Sequence, residues 1–325
     1  MPAPEGIVLS HKDDDVKKQP LLIDTDPGVD DALAILMALR HPDTAVTALT
    51  IAAGNVGLEH TVGNALKLCD VAGVDIPVFA GCSLPLVHAA EDAAYVHGLD
   101  GFGDTGYSPS TRVAEAEHAA LAMLRLSREF PHQLTFVMLG PLTNLALALR
   151  LDPTLPERVP RLVIMGGAVT GRGNTRVPVE FNIGFDPEAA HVVFSSWPQF
   201  ELVDWEAVVR HGIAHTAFDA WLEAGDACGK FYDAISRQTR AWSEGRRGSD
   251  WHSADGLAMA AVLEPDGVQE WQARPVAIEM AGVHSRGATV VDWDRRTGMP
   301  DNARIAMTYE RERFERMIRA ALGLL

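Results

Sequence analysis

A chain of 325 residues, 47% of them hydrophobic, is long enough to bury a large core as one α/β domain. Its formal charge of −16 at pH 7 argues against nucleic acid and against an anionic membrane surface, since both call for a basic footprint. No run of about 18 apolar residues offers a membrane span, and the three cysteines, Cys69, Cys82 and Cys228, lie far apart with no CxxC.

That cysteine usage fits a reducing compartment with thiols used as small core residues. Residues 1–18 are polar, rich in Asp and Lys, and lack the apolar stretch of a signal peptide. They read as a disordered or loosely attached arm ahead of one domain over 19–325, and the expectation is a cytoplasmic protein. Leu21 to Ile23 end a buried strand, Pro27-Gly28 turns the chain, and Ala32 to Leu39 repeat apolar residues at helical spacing. Ala45–Ala53 reads as a second strand, Leu58–Ala72 as a helix and Ile76–Ala80 as a short strand. Cys82–Ser110 is irregular and longer than an ordinary loop. Ala114–Glu129 is predicted helical, Leu134–Leu139 a strand, Leu142–Leu149 the start of a helix and Arg161–Met165 a strand. A second irregular stretch, Ala168–Phe185, leads into a helix start at Asp186-Pro187-Glu188. Phe200–Val203 is a predicted strand, Phe218–Trp242 helical in one or two pieces, and Asp255–Leu263 a short apolar helix. Strands with turns over 273–309 and a helix over Glu310–Leu322 close the chain. The alternation implies a single α/β domain with a Rossmann-like open, mostly parallel sheet and helices on both faces.

In such a sheet ligands bind at the carboxyl ends of the strands. The first strand ends in four acids, Asp24, Asp26, Asp30 and Asp31. Acids at a helix start also serve as caps, but four together repel unless a cation lies among them. With oxygen donors and no nearby Cys or His, that cation is Mg²⁺ or Ca²⁺ rather than Zn²⁺. Further along, Asn55 follows the second strand, Asn174, Glu180 and Asn182 occupy one loop, and Asp255 opens a helix. Amides and carboxylates together suit a polyhydroxylated ligand, because each sugar hydroxyl both donates and accepts.

The segment Asp24-Thr25-Asp26-Pro27-Gly28-Val29-Asp30-Asp31-Ala32 closely resembles the N-terminal signature of the inosine-uridine preferring nucleoside hydrolases. The likeness continues through Ala53-Gly54-Asn55, His97-Gly98-Leu99-Asp100-Gly101, Gly140-Pro141-Leu142-Thr143-Asn144, Met165-Gly166-Gly167, Gly173-Asn174, Glu180-Phe181-Asn182, Asp186-Pro187-Glu188-Ala189-Ala190 and the Asp255 helix. It implies calcium-dependent hydrolysis of the N-glycosidic bond of ribonucleosides, giving ribose and a free base. It also implies one Ca²⁺ held by Asp26, Asp31, Asp255 and the Leu139 carbonyl, a ribose site of Asp30, Asn55, Asn174, Glu180, Asn182 and Asp255, and a homodimer or homotetramer. Asp26 is the candidate base that takes a proton from the attacking water.

Many members of that family carry a His immediately before the metal-binding Asp, whereas this sequence has Ala254. The candidates for contacting the leaving base are therefore His97, His252, Trp251 and Trp242. Two other readings compete. A phosphatase of the haloacid dehalogenase type shares an Asp-Thr-Asp after a strand but needs a downstream Lys, and past Lys67 there is only Lys230. A non-catalytic nucleoside- or ribose-binding protein would keep the calcium pocket and lose turnover with the missing His.

Overall fold

The computed structural model describes residues 18–325, so all but the last residue of the expected arm lies outside the described part of the chain. The apolar strand β1 (Gln19–Thr25) lies mid-sheet and is buried from Leu21 onward. Its alternate side chains point to opposite faces: Leu21 and Ile23 join one hydrophobic cluster, and Leu22 joins the other. Parallel pairing places β2 (Thr44–Ile51) on one side of β1 and β4 (Thr135–Met138) on the other. β3 (Val78–Ala80), β5 (Arg161–Met165) and β6 (Phe200–Val203) extend the sheet in parallel. The strand Ala303–Tyr309 pairs in parallel with β6 and antiparallel with the edge strand Val268–Arg274. The eight-stranded order is thus β3-β2-β1-β4-β5-β6, then Ala303–Tyr309 and Val268–Arg274. The predicted open, mostly parallel sheet is the one observed, with one antiparallel edge.

Helix α1 (Val29–Arg40) is buried at nine of its twelve positions, the mark of a helix enclosed by its neighbours. It packs against the helix Ala254–Leu263, all ten of whose residues are buried. This pairing brings an early and a late segment of the chain together.

Most predicted elements appear within a few residues of their expected bounds, and the departures have local causes. The helix expected from Ala114 begins at Ala119, because His118 accepts from the Ala120 N–H as its cap while Glu115 bridges to Phe79 in extended conformation. The stretch expected helical over 218–242 is two helices, His215–Ala224 and Ala227–Arg247. They part at Asp226, whose carboxylate accepts from the N–H groups of Cys228 and Gly229 to start the second. A helix over Trp205–Arg210 and a two-stranded ladder of Ile213–Ala214 with Asp250–Trp251 went unpredicted. All three cysteines are free thiols, and no described helix is long and apolar enough to cross a membrane.

Candidate functional site

The carboxyl ends of β1, β2, β4 and β5 surround a buried group of acids. Asp26 follows β1 and is 1% exposed. The Asn55 N–H after β2 donates to its Oδ2 at 2.6 Å, while its Oδ1 is buried without a hydrogen-bond partner among the described residues. Asp31 at the start of α1 accepts from the Gly28 N–H at 3.0 Å, the Asn55 Nδ2 at 2.9 Å and the Thr25 hydroxyl. It therefore caps α1 and belongs to the acidic group as well, so the two readings of an acid at a helix start hold together. Asp255, in the first turn of the Ala254–Leu263 helix, faces the group from the far end of the chain.

Asp30, Asp31 and Asp255 bring one carboxylate oxygen each to within 4.8 Å of one another. Asp30 rather than Asp26 stands with Asp31 and Asp255 in that trio, and the Asp26 Oδ2 accepts the Asn55 N–H. Burial first, then the charges of Asp31 and Asp30, hold Asp26 well above the usual carboxylate range. Burial pushes Asp31 up to about 6, and Asp30 upward too. Asp255 is raised far by burial and then by Asp30, Asp31, Asp26 and Glu180. An all-oxygen donor set whose members repel one another, with one buried oxygen lacking any donor, fits a hard divalent cation.

The opposite wall comes from the loop before the short helix Phe181–Phe185. Glu180 caps that helix by accepting from the Asn182 and Ile183 N–H groups, also accepts from Gly167 N–H, and is pushed by burial up to about 7. Asn182 donates through Nδ2 to the Leu139 carbonyl at 2.6 Å, and both residues line the pocket. Asn174 accepts from the Phe181 N–H at 2.8 Å and fixes the loop. Asp30, Asn55, Asn174, Glu180, Asn182, Leu139 and Asp255 all line one cavity.

The remaining motif residues brace this edge. Asp24 accepts from Thr50 and from Asn144 Nδ2, and Asn144 Oδ1 accepts from the Cys82 N–H. Thr143 donates to Asp186, which caps the helix after it. Gly54 and Gly140 allow the chain to pass against Asp26: a Cβ on either would fall on its carboxylate. Gly54→Ala is therefore expected to displace that carboxylate and lower turnover by about 10²-fold, as a misplacement near 1 Å does. A melting curve close to that of the parent would separate this from a general loss of fold.

All four residues expected near a base line the cavity, but they differ in what they can offer. His97 accepts the Val29 N–H at Nδ1, so its proton is on Nε2. Burial lowers its pKa to about 4, which leaves it neutral at pH 7. Its placement depends on the Gly98 to Gly101 turn, where both glycines have positive φ and Asp100 accepts from the N–H groups of Phe102 and Asp104. Trp251 is buried with one face stacked on Phe218, and His252 is lowered by burial and by the charge of Arg247. The guanidinium carbons of Arg246 and Arg247 lie 5.1 and 5.0 Å from the ring centre of Trp242. Trp205 and Arg247 also line the cavity, and the sequence reading named neither. Trp205 directly follows the end of β6, a position that the strand-end rule could have found.

An acidic, oxygen-lined pocket at the carboxyl edge of a parallel sheet defines the class, an α/β protein built to hold a small polar ligand beside a hard cation. Residues 21–316 match the family described as inosine-uridine preferring nucleoside hydrolase. The chain is 36% identical over 298 residues to the non-specific ribonucleoside hydrolase RihC of Salmonella agona, covering 92% of this chain and 95% of that one. A solved inosine-guanosine nucleoside hydrolase superposes with a TM-score of 0.87 at 33% identity, covering 93% of this chain and 98% of that one. A purine-preferring ribonucleoside hydrolase from Gardnerella vaginalis gives 0.86 at 28%, with the same two coverages. The chain belongs to the inosine-uridine preferring nucleoside hydrolase family.

Proposed function

We propose that this protein hydrolyses the N-glycosidic bond of ribonucleosides with Ca²⁺ bound, releasing ribose and a free base. The observation that carries the reading is the convergence of Asp26, Asp30, Asp31, Asp255 and Glu180, all pushed upward by burial, opposite an amide-bearing wall. Asp26, Asp31, Asp255 and the Leu139 carbonyl would hold the ion, with Asp30 close enough to share in it. Bound there, the ion supplies a lowered pKa for an attacking water and an anchor for adjacent hydroxyls.

The chain's own groups do the rest. Asp30, Asn55, Asn174, Glu180 and Asn182 grip the ribose and orient its anomeric carbon. Negative charge around the ring stabilises the oxocarbenium-like sugar that forms as the bond to the base breaks. Asp26 accepts a proton from the water that attacks C1′. The electron pair of the broken bond leaves on the base nitrogen, which takes a proton from solvent, so one nucleoside and one water give ribose and base. A phosphatase would need a basic residue committed to the phosphate beside the acids; the one arginine of the lining, Arg247, packs on Trp205 and meets Asp30 only through space.

The reading is tested by assaying reducing sugar from inosine, adenosine, uridine, cytidine and p-nitrophenyl riboside with Ca²⁺ present. Ribose release from at least one is expected. Binding of ribose with no turnover of any, including the riboside whose leaving group needs no help, would favour a binding protein. Assembly as a homodimer or homotetramer in the cytoplasm belongs to the same reading. Three free thiols support the compartment, and light scattering checks the assembly.

A further inference from the structure

Hydrolysis by this route separates charge: the sugar becomes positive as the base becomes negative. The acids meet the first demand, and something else on the cavity lining must meet the second. Ala254 presents only a methyl group there. His97, its Nδ1 accepting the Val29 N–H, offers only the Nε2–H of a neutral ring and no charge. His252 and Trp251 each carry a buried ring nitrogen with no partner among the described residues.

Arg247 is different in kind. It ends the helix Ala227–Arg247, and its guanidinium carbon lies 4.5 Å from the ring centre of Trp205 and 5.0 Å from that of Trp242. Contacts of this sort occupy the flat faces of a guanidinium and leave its N–H edge for hydrogen bonds. That edge makes no hydrogen bond or ion pair among the described residues. Asp30 attracts the charge through space, against the burial that disfavours it. A cation and a group of carboxylates on one cavity lining can meet the two charges that bond cleavage separates.

We propose that the Arg247 guanidinium receives the departing base, and that it selects 6-oxopurine nucleosides over 6-aminopurine ones; this rests on the ribohydrolase reading above. The N–H fork matches the two acceptors O6 and N7 on one edge of hypoxanthine or guanine. Adenine presents a donor beside N7 and leaves one arm of the fork facing another N–H. No proton moves from Arg247. Its N–H groups hold the negative charge until solvent protonates the base.

The test compares kcat/KM for inosine, adenosine and p-nitrophenyl riboside in the parent enzyme, Arg247→Met and Arg247→Lys, with Ca²⁺ present. The parent is expected to prefer inosine to adenosine by at least about 10-fold, the discrimination of one bidentate pair. Arg247→Met should lower the inosine value about 100-fold, the adenosine value much less, and the riboside value by a smaller factor still, since p-nitrophenolate leaves unaided. Arg247→Lys should recover part of the inosine rate but not the preference, because the charge remains and the fork is lost. An equal fall on all three substrates would make Arg247 a brace for the tryptophans and overturn the proposal. So would an inosine preference that survives Arg247→Met. Failure of the parent on every substrate, riboside included, would instead overturn the ribohydrolase reading itself.

Discussion

Replacing Asp26 by asparagine is expected to lower turnover of the best nucleoside by about 10³-fold, while the protein melts within a few degrees of the parent. The expectation comes from what Asp26 touches. Its Oδ2 accepts the Asn55 N–H, a bond that an asparagine oxygen can keep, so the local backbone has little reason to move. Its Oδ1 is buried with no donor among the described residues, and that oxygen is the one available to take a proton. An amide has no such basicity, and removal of a positioned base costs about 10² to 10⁴ in rate. Burial and the neighbouring charges of Asp31 and Asp30 raise the proton affinity of Asp26, and a bound cation would keep it ionised and so able to accept. Near-normal turnover in Asp26→Asn, or in Asp26→Ala, would remove Asp26 from the role of base. Calcium titration of the variant, followed by its melting temperature, separates loss of the base from loss of the ion.

The second large effect is on stability. Calcium is expected to raise the melting temperature by on the order of 5 °C at about 100 times its dissociation constant, where mass action contributes about 2.7 kcal/mol. The rise should be larger at pH 8 than at pH 5. The sign follows from the acids, which are raised by burial in the folded chain: Asp31 to about 6, Glu180 and Asp24 to about 7. An acid held above its unfolded value binds more protons when folded, so its stabilising contribution is present at low pH. That contribution is lost as pH rises from about 4 through about 7. A cation among the carboxylates offsets the repulsion that appears in that window. Asp255→Ala should abolish most of the calcium-dependent rise and, with it, turnover. Melting curves at the two pH values, with calcium and with a chelator, check both statements. A calcium effect equal at pH 5 and pH 8 would place the ion away from these acids.

Much of this was readable because the signals are local and chemical. An apolar strand that runs straight into Asp24, Asp26, Asp30 and Asp31 states both its burial and its role within a dozen residues. The loop with Asn174, Glu180 and Asn182 is legible for the same reason, since amides and an acid clustered after a strand have few other uses. What escaped depends on long-range packing. Arg247 reaches the cavity only because its helix lies beside Trp205, which follows a strand far back in the sequence. Nothing in the neighbourhood of Arg247 marks it out from other arginines on a polar helix. The two guanidiniums within about 5 Å of the Trp242 ring centre were likewise out of view, although Arg246 and Arg247 are only a turn further along its helix. That Asp30 rather than Asp26 stands with Asp31 and Asp255 in the closest trio was equally invisible in the spacing.

Helix α1 and the Ala254–Leu263 helix lie side by side, so the acids that would share the ion come from near the first and last parts of the chain. A polypeptide emerging from the ribosome carries Asp26 and Asp31 early and gains Asp255 only when most of its length has been made. An amino-terminal fragment that stops short of Asp255 therefore lacks part of the set, and the ion would act as a rivet set late in synthesis.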